Sequence, residues 1–419
     1  MKMFMTKSNG WLFILLLVNS TSLWAQEEVS EYITISGVVK DRRSEKQLGD
    51  VNIYVSGTNT GTITNEEGFF TLKMRKKTVP QILEISHIGY SNARHKVNME
   101  HLSDLTLWLV PRATMLKEVV VYAGNPRTII EKAIDKITDN YSQQDEMLTG
   151  FYRETAQKGR RHISISEGVM DIFKTSYLGD CMIDQDKVQI LKGRRLLSQK
   201  ASDSLAVKVA GGPNLSVNLD IVKNGDLLLN KEFLCLYEFK LIDVIYMGDR
   251  EQYIIGFKSQ VDLPVAMYSG RLYIDCEKLS VTRAEFNLDM KSESKAIEAM
   301  LRKKPHGISF RPQELSFITN YIEKEGRTYL NSIKNIIRFK CSWKKSSGSS
   351  NFAILTEIVI TDRREGYLGS ISYRKEFKER QVFYDNVNKY WDEDFWGAYN
   401  IIEPTESLEK AINKLKKQN

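Results

Sequence analysis

Two pairs of carboxylates have a spacing that could support acid–base chemistry. Asp184 and Asp186 form one pair, and Asp392 and Asp394 form the other. Residues at i and i+2 of a strand share a face, so either pair could act as the two carboxylates of a glycosidase. Both pairs lie in polar, loop-like stretches where side chains are usually exposed, and we therefore expect neither to be catalytic. The acids at 392–394 also lack the spaced ligands and the glycine of a calcium-binding EF-hand.

Histidine, the other common source of acid–base and metal chemistry, is scarce. The five histidines are His87, His95, His101, His162 and His306. His95 and His101 lie near predicted surface turns beside Glu100 and Asp104, but a zinc site there would need a further ligand from elsewhere in the fold. His87 is predicted to be a structural residue in a strand. His162 is predicted to lie at a solvated strand start, and His306 in a turn. We predict no metal and no cofactor.

Sequence motifs of catalysis are also missing. The chain contains no GxSxG elbow, no P-loop, no GxGxxG and no HExxH. We therefore predict that the protein is not an enzyme and assign no catalytic residue. A hydrolase with an unrecognised site stays open as an alternative; convergent acids or histidines with perturbed pKa values in one cleft would favour it.

The four cysteines permit disulfides but do not favour them. They are Cys181, Cys235, Cys276 and Cys341. Cys276 continues the alternation of Leu272 and Ile274, and Cys341 continues a similar alternation, so both should face the apolar side of a strand. Buried cysteine behaves as a small hydrophobe. We favour free core cysteines over the three possible disulfide pairings.

The N-terminus predicts export. Lys2 and Lys7 precede an uncharged apolar run at 11–18, and small and polar residues lead to Ala25. This order is typical of a secretory signal peptide over residues 1–25, with cleavage between Ala25 and Gln26. The apolar run is shorter than the roughly 20 residues that span a bilayer. No cysteine stands at the cleavage site, so a lipoprotein anchor is not expected, and no later stretch predicts a transmembrane helix.

Charge argues against a nucleic-acid partner. Cleavage would remove two lysines and no acid, which leaves 394 residues with a net charge of +5. The basic clusters are short and lie in predicted loops or turns, with acids nearby, so we interpret them as solvated faces. They are residues 73–77, 302–304 and 363–364.

The elements that would position these residues are mostly strands. From 32 to 122, short β-patterned runs recur every 8–12 residues and are separated by turns such as Asn65-Glu66-Glu67-Gly68. This pattern predicts a small β-sandwich. A stretch at 126–141 has apolar residues on one stripe and begins with a proline, so it predicts an amphipathic linking helix that docks between two domains.

Particular segments of the sandwich resemble carboxypeptidase-like regulatory domains. The similar segments are ISGVV at 35–39, LGDVNIYV at 48–55, EGFF at 67–70, ISHIGY at 85–90 and LKEVVV at 116–121. The resemblance implies a prealbumin-like sandwich of about seven strands. The same module often precedes TonB-dependent outer-membrane receptors, but no plug or long barrel follows here. The module is the accessory domain of carboxypeptidases, and we do not expect their activity here, because residues 147–390 are mostly strand by pattern and lack an HxxE pair.

Residues 147–390 predict a second, larger β domain. The β-patterned runs are longer than in the sandwich, and turns such as Asn224-Gly225-Asp226 separate them. One wide, curled antiparallel sheet would explain this pattern. The runs at 270–275 and 281–286 are similar to strand pairs of lipoprotein-carrier half-barrels. Residues 391–419 form an aromatic tail and a final helix, and we expect the rings of Tyr390 to Tyr399 to pack as core rather than to bind a ligand.

Three functions remain in order of preference. The first is a non-enzymatic structural or binding protein of a Gram-negative-type cell envelope, in the periplasm or at the outer membrane, whose sandwich binds another envelope protein or a glycan. The second is a carrier of a lipid or other apolar ligand, for which the sign would be a continuous apolar groove with a polar rim. The third is the unrecognised hydrolase.

Overall fold

The computed structural model describes residues 32–75, 82–112, 124–178, 185–200, 203, 207–344, 348–366, 369–379, 381–391, 396–397 and 399–417. Several predicted features therefore lie outside the described residues. They are the signal peptide with its Ala25–Gln26 cleavage site, the strand at 116–122, Asp184, Asp392, Asp394 and Cys181. The remaining predictions can be compared with the structure directly.

The first unit is a sandwich of seven described strands, as predicted. The strands are β1 (Tyr32–Asp41), β2 (Asn52–Val55), β3 (Gly61–Ile63), β4 (Phe69–Arg75), β5 (Ile82–Ser86), β6 (Ala93–Lys96) and β7 (Leu105–Leu109). One sheet has the order β4-β1-β7, and the other has the order β3-β2-β5-β6. Alternate residues of the two sheets meet in one apolar core that includes Ile35, Ile53, Leu72 and Leu109.

The stretch predicted as one helix at 126–141 forms two helices, α1 (Pro126–Asp135) and α2 (Ile137–Asn140). The prediction of a continuous helix is wrong because Lys136, at φ −90° and ψ 0°, ends the first helix and begins the second. The Asn125 side chain accepts a hydrogen bond from the Arg127 N–H and caps α1. Buried residues of α1 join the core of the second domain, so the helix packs on that domain.

The second domain is built on one ten-stranded sheet. Its strands are β8 (Glu146–Lys158), β9 (Arg161–Lys174), β10 (Lys187–Leu197), β12 (Tyr237–Met247), β13 (Arg250–Ser259), β14 (Tyr268–Asp275), β15 (Val281–Leu288), β17 (Ile308–Lys324), β18 (Arg327–Trp343) and β19 (Ser349–Glu365). Two short strands, β11 (Lys208–Val209) and β16 (Leu301–Lys303), pair separately. The order is β10-β9-β8-β19-β18-β17-β15-β14-β13-β12, and all neighbours are antiparallel. The predicted wide antiparallel sheet is confirmed.

Helices and irregular segments cover the inner face of this sheet, which is the face that carries the main core. The remaining helices are α3 (Pro213–Asn218), α4 (Glu293–Met300), α5 (Phe383–Asn386) and α6 (Glu406–Lys416). Val217, Ile221, Leu228 and Phe383 from the covering segments share one core with strand residues of the inner face. The opposite, outer face receives α6, the C-terminal tail and the sandwich.

Candidate functional site

One row of cross-strand neighbours runs across the inner face of the sheet and changes from apolar to polar side chains along its length. Its apolar half is a ladder of phenylalanines, in which Phe317 and Phe286 stack at 4.7 Å and Phe286 and Phe257 lie 4.8 Å apart. Gly270 stands between Phe286 and Phe257 in the register. A Cβ there would lie 1.8 Å from the Glu285 carbonyl oxygen, so only glycine fits.

The polar half of the row continues over the next four strands. Asn335, Thr356, Glu154 and Ser166 are successive cross-strand neighbours on β18, β19, β8 and β9. Asn335 and Thr356 are at most 3% exposed, and Ser166 is fully buried. The Asn335 Oδ1 and Ser166 Oγ atoms have no hydrogen-bond partner in the described part of the chain. Buried polar atoms without partners cost stability, so this row is an unusual feature of the core.

Glu154 is the ionisable member of this row. Burial raises the pKa of its carboxyl, the hydrogen bond from the Tyr152 hydroxyl at 2.9 Å opposes the shift, and the nearby Asp385 carboxylate raises the pKa further. A Cβ on the exposed Gly211 would lie 4.0 Å from Glu154 Oε2. The carboxyl is therefore close to the surface. Among the described residues, no second acid or histidine is hydrogen-bonded to this carboxyl, and a single carboxyl does not provide a general acid and base pair.

A second cluster of buried charges lies at the other end of the inner face. Lys174 Nζ is 2.7 Å from Asp186 Oδ2 and 2.8 Å from Asp220 Oδ2. The hydroxyls of Tyr177 and Tyr321 donate hydrogen bonds to Asp220 at 2.6 and 2.7 Å. Burial alone would lower the pKa of Lys174, but the two carboxylates raise it above its usual value. Burial also opposes ionisation of Asp220, but Lys174 and the two hydroxyls hold its pKa below the usual range.

This cluster is satisfied by its own members. Asp186, one of the acids singled out in the sequence, also accepts hydrogen bonds from the N–H and hydroxyl of Thr175. It lines a cavity of about 220 Å³ with Lys187, Lys223 and Glu379, among others. The cavity wall is mainly polar and contains both signs of charge. Because the carboxylates are paired with Lys174, the cluster resembles a structural network more than a catalytic one.

The third feature is the contact between the sandwich and the large sheet. The outer face of the four-stranded sheet of the sandwich lies on β18 and β19. The Tyr54 hydroxyl donates to Asn331 Oδ1 at 2.5 Å, and Asn331 Nδ2 donates to Asn52 Oδ1 at 2.6 Å. Asn59 and Arg363 are linked by two further hydrogen bonds. Tyr54 is 6% exposed, so this polar contact is largely free of bulk water.

A row of alternating charges lies under this contact on the outer face of the sheet. Arg194, Glu167, Arg153, Glu357 and Lys334 are successive cross-strand neighbours. Glu167 forms ion pairs with Arg153 at 2.8 Å and with Arg194 at 2.6 Å. Burial opposes ionisation of Glu167, but the two arginines keep its pKa below the usual value. The row ends at Lys334, which reaches Glu66 of the sandwich at 2.6 Å.

The C-terminal tail also contributes to the contact between the sandwich and the large sheet. Asn400 accepts a hydrogen bond from the Lys73 N–H and donates one to the Lys73 carbonyl oxygen, so its side chain pairs with the edge of β4. The Thr62 hydroxyl donates to the Ile401 carbonyl, and Glu67 accepts from the Glu406 N–H. The end of the chain thus ties the sandwich to the sheet.

Several side chains differ from the sequence interpretation. Arg363 belongs to a cluster predicted to be a solvated face, but it is 9% exposed and lies 3.1 Å above the Tyr329 ring. The prediction is wrong there because Arg363 lies in β19, at the contact with Asn59 of the sandwich. Lys73, from another of these clusters, is in β4 rather than a loop, and Gly397 accepts its side-chain hydrogen bond.

The aromatic tail divides between core and surface. Trp396 packs edge-on against Phe151 at 5.3 Å, and Tyr390 is partly buried against the main core, as expected. Trp391 is 58% exposed, which contradicts the expectation that all of these rings are core. The three described cysteines are free: Cys341 is buried, Cys276 is half-buried just after β14, and Cys235 is exposed.

The histidines do not converge on one site. His87 lies after β5 near the contact with the large sheet, packs edge-on against Tyr90, and has a pKa lowered by burial. His162 is half-buried and bonded to Gln157 rather than solvated. Among the residues that the structure describes, no group of three or more histidines, cysteines or acids is placed to hold a metal ion.

Comparison with known proteins assigns the first unit. Residues 35–121 match the CarboxypepD_reg-like domain, so the N-terminal sandwich is a domain of this family. The chain is also 32% identical over 117 residues to the TonB-dependent receptor SusC of Bacteroides thetaiotaomicron. That match covers 28% of this chain and 11% of the receptor. The predicted resemblance of the sandwich is confirmed.

Solved structures show more distant likenesses over a larger part of the chain. A DUF1329 family protein from Desulfovibrio piger covers 59% of this chain and 95% of its own, with 11% identity and a TM-score of 0.28. A LolA superfamily protein from Nitrosomonas europaea covers 62% of this chain and all of its own, with 15% identity and a TM-score of 0.24. MucB in complex with MucA gives 9% identity, coverage of 57% and 99%, and a TM-score of 0.17. Scores of this size do not establish a shared fold.

Proposed function

We propose that this protein is a non-enzymatic structural or binding protein of the cell envelope, and that its large β domain presents the sandwich to a partner. The observation that carries the proposal is the contact between the two units. Ion pairs, buried hydrogen bonds and the C-terminal tail hold the sandwich against the sheet. A scaffold that presents a binding module needs such a fixed orientation, since a rigid module loses less conformational freedom when it binds.

The location in the envelope rests on two supports. The first is the predicted signal peptide, and the second is the similarity of the sandwich to part of a TonB-dependent receptor. Among the described helices, none is long and apolar enough to cross a membrane.

The absence of enzymatic activity is also a proposal, and the buried charges support it. Lys174 is ion-paired with both Asp186 and Asp220, and Glu167 is paired with two arginines. Groups engaged in such pairs are not available as a free base or nucleophile. Glu154 has a raised pKa but no catalytic partner in contact among the described residues. We therefore do not propose a hydrolase.

The carrier alternative receives less support. Its expected sign is an open apolar groove, but where the structure describes the inner face, the protein's own side chains fill it. Val217, Leu228 and Phe383 from the covering segments share one core with the strands. The described cavity beside Asp186 is small and mainly polar.

Native purification from the source envelope would test the proposal. Fractionation into cytoplasm, periplasm and outer membrane would be followed by native mass spectrometry of the mildly solubilised protein and by lipid extraction. We expect recovery from the envelope, a complex with a second macromolecule and no stoichiometric lipid. Recovery from the cytoplasm alone, or as a free monomer in every envelope fraction, would refute the proposal. One lipid per chain would replace it with the carrier.

A further inference from the structure

In the part of the chain that the structure describes, the layering leaves one broad face of the sandwich open. The four-stranded sheet uses its outer face to contact β18 and β19 through Tyr54 and Asn52. The three-stranded sheet β4-β1-β7 lies on the other side of the sandwich core from the large sheet, and the C-terminal tail contacts it at Lys73 on the edge strand β4. A partner of the sandwich that binds a sheet face would therefore have to use the outer face of this three-stranded sheet.

The strand register identifies the residues of this face. Val38 is the cross-strand neighbour of Phe69 on β4 and of Thr106 on β7, and Lys40 is the neighbour of Trp108. The alternate residues, including Phe70 and Leu107, are buried in the sandwich core, so the named residues point outward. Phe69 is 43% exposed, and Thr106 is exposed. Apolar side chains on three adjacent strands thus form a strip in contact with water, which is typical of an interaction surface.

The charge of the strip is of one sign. The Arg42 guanidinium lies 5.3 Å and the Lys40 ammonium 6.0 Å from the centre of the Trp108 ring, so both cations border the apolar strip. The neighbouring Arg43 is exposed as well. Among the outward residues described on β1, β4 and β7, none is acidic. Asp41 points to the other side, where it accepts hydrogen bonds from the N–H groups of its own turn and from Tyr90.

We propose that this strip binds an acidic segment of a partner protein, with carboxylates placed against Lys40 and Arg42 and apolar side chains against Val38, Phe69 and Trp108. The inference deepens the proposed binding function and rests on it. A protein segment fits better than a glycan because Val38 and Phe69 offer no hydrogen bonds to sugar hydroxyls. Cations beside the half-buried Trp108 indole match the arginine and aromatic enrichment of protein interfaces.

Site-specific photo-crosslinking in living cells tests this surface and captures a partner of any identity. A photoreactive amino acid would replace Thr106 on the strip, and in a second strain it would replace the exposed Asn388, which lies in the segments that cover the inner face of the large sheet. Crosslinked products would be identified to the segment by mass spectrometry. We expect a dominant protein adduct from position 106 only, in a segment with a net negative charge.

A charge reversal makes the test specific. The double change Lys40→Glu with Arg42→Glu should lower the adduct yield from position 106 at least tenfold. The control change Arg302→Glu with Lys303→Glu reverses the same number of cationic side chains elsewhere and should leave the yield within twofold. Crosslinking in washed envelopes should also fall as salt rises from about 0.05 to 0.5 M, because surface charges are screened. Thermal unfolding would show that both variants fold like the parent.

The outcomes separate this inference from the proposed function. A glycan adduct, an adduct in a segment without net negative charge, or equal yields from positions 106 and 388 would overturn the inference. Insensitivity to the Lys40 and Arg42 reversal would overturn it as well. If native purification still showed a complex, the binding function would stand and only this surface would be wrong. If the protein were monomeric or cytoplasmic, the proposed function itself would fail.

Discussion

Replacement of Lys174 by methionine should unfold the large domain at a much lower denaturant concentration. The change keeps a similar apolar stem but removes the charge that lies 2.7 and 2.8 Å from Asp186 and Asp220. At 2.8 Å and an effective dielectric constant of about 20, one such contact corresponds to a Coulomb attraction of about 6 kcal/mol. Part of this attraction compensates the cost of burying the charges. Loss of one member of a buried pair therefore usually destabilises by about 3–5 kcal/mol, and we expect that range at pH 7.

The pH dependence of the Lys174→Met variant gives a second, independent readout. In the parent, the pKa of Asp220 is lowered, so its contribution to stability is present above the unfolded pKa and is lost as the pH falls through the folded pKa. Without Lys174, burial dominates and should raise the pKa of Asp220. Protonation then removes the uncompensated charge, so the difference between variant and parent should shrink as the pH falls from 7 to about 4.

Urea unfolding followed by tryptophan fluorescence, at pH 7 and pH 4, would measure both effects. The matched control is Lys136→Met, because Lys136 and Asp139 form an ion pair of the same 2.7 Å length on the surface. Exposed pairs contribute little, so this control should unfold like the parent. A loss below about 1 kcal/mol for Lys174→Met, or a loss equal at both pH values, would refute the view that buried charge holds this cluster together.

Three further changes test other parts of the structure. Glu154→Gln should gain stability relative to the parent as the pH rises from 5 to 8, because the parent carboxyl has a raised folded pKa and its contribution to stability is lost as the pH rises. Denaturation midpoints at the two pH values would measure this gain, and a stability difference that does not change with pH would contradict it. Asn400→Ala removes both hydrogen bonds to the Lys73 backbone and should cost about 1–3 kcal/mol and speed proteolysis of the tail, whereas an unchanged digestion rate would mean that the tail is held elsewhere. Gly270→Ala places a Cβ 1.8 Å from a carbonyl oxygen of the next strand and should prevent soluble expression or lower the melting temperature by more than 10 °C. The control Gly225→Ala, whose Cβ has its nearest contact at 3.7 Å, should be close to neutral. Similar melting temperatures for the two variants would disprove the packing argument.

The sequence carried the local information about strands and the sandwich. The alternation around Ile53 and Leu83, with turns at regular intervals, predicted a small sandwich, and seven strands lie among the residues described there. The longer alternating runs likewise predicted one wide sheet. These predictions succeed because period-two alternation is decided by neighbouring residues in the chain. The break at Lys136 was missed because the apolar stripe continues through it.

The candidate sites could not be read from the sequence, since register and layering bring their residues together. Ser166, Glu154, Thr356 and Asn335 come from four strands, and nothing in any one strand marks its polar residue as a neighbour of the others. Asp186 was noticed as one of two close acids, but its real partners are Lys174 and Asp220. A pattern of alternation shows which side chains face inward. It does not show which residues on the neighbouring strands lie beside them.

The sequence by itself determined that this is a mainly β chain, with a regulatory-type sandwich ahead of a larger sheet. Those features follow from local periodicity and from short motifs. Only the tertiary structure decided that Arg363 is buried and that Asn400 pairs with the edge of β4. Only the structure left the strip of Phe69 and Trp108 facing water, because the large domain packs on the opposite sheet. Contacts between residues hundreds of positions apart depend on how the layers stack, and local patterns do not encode that stacking.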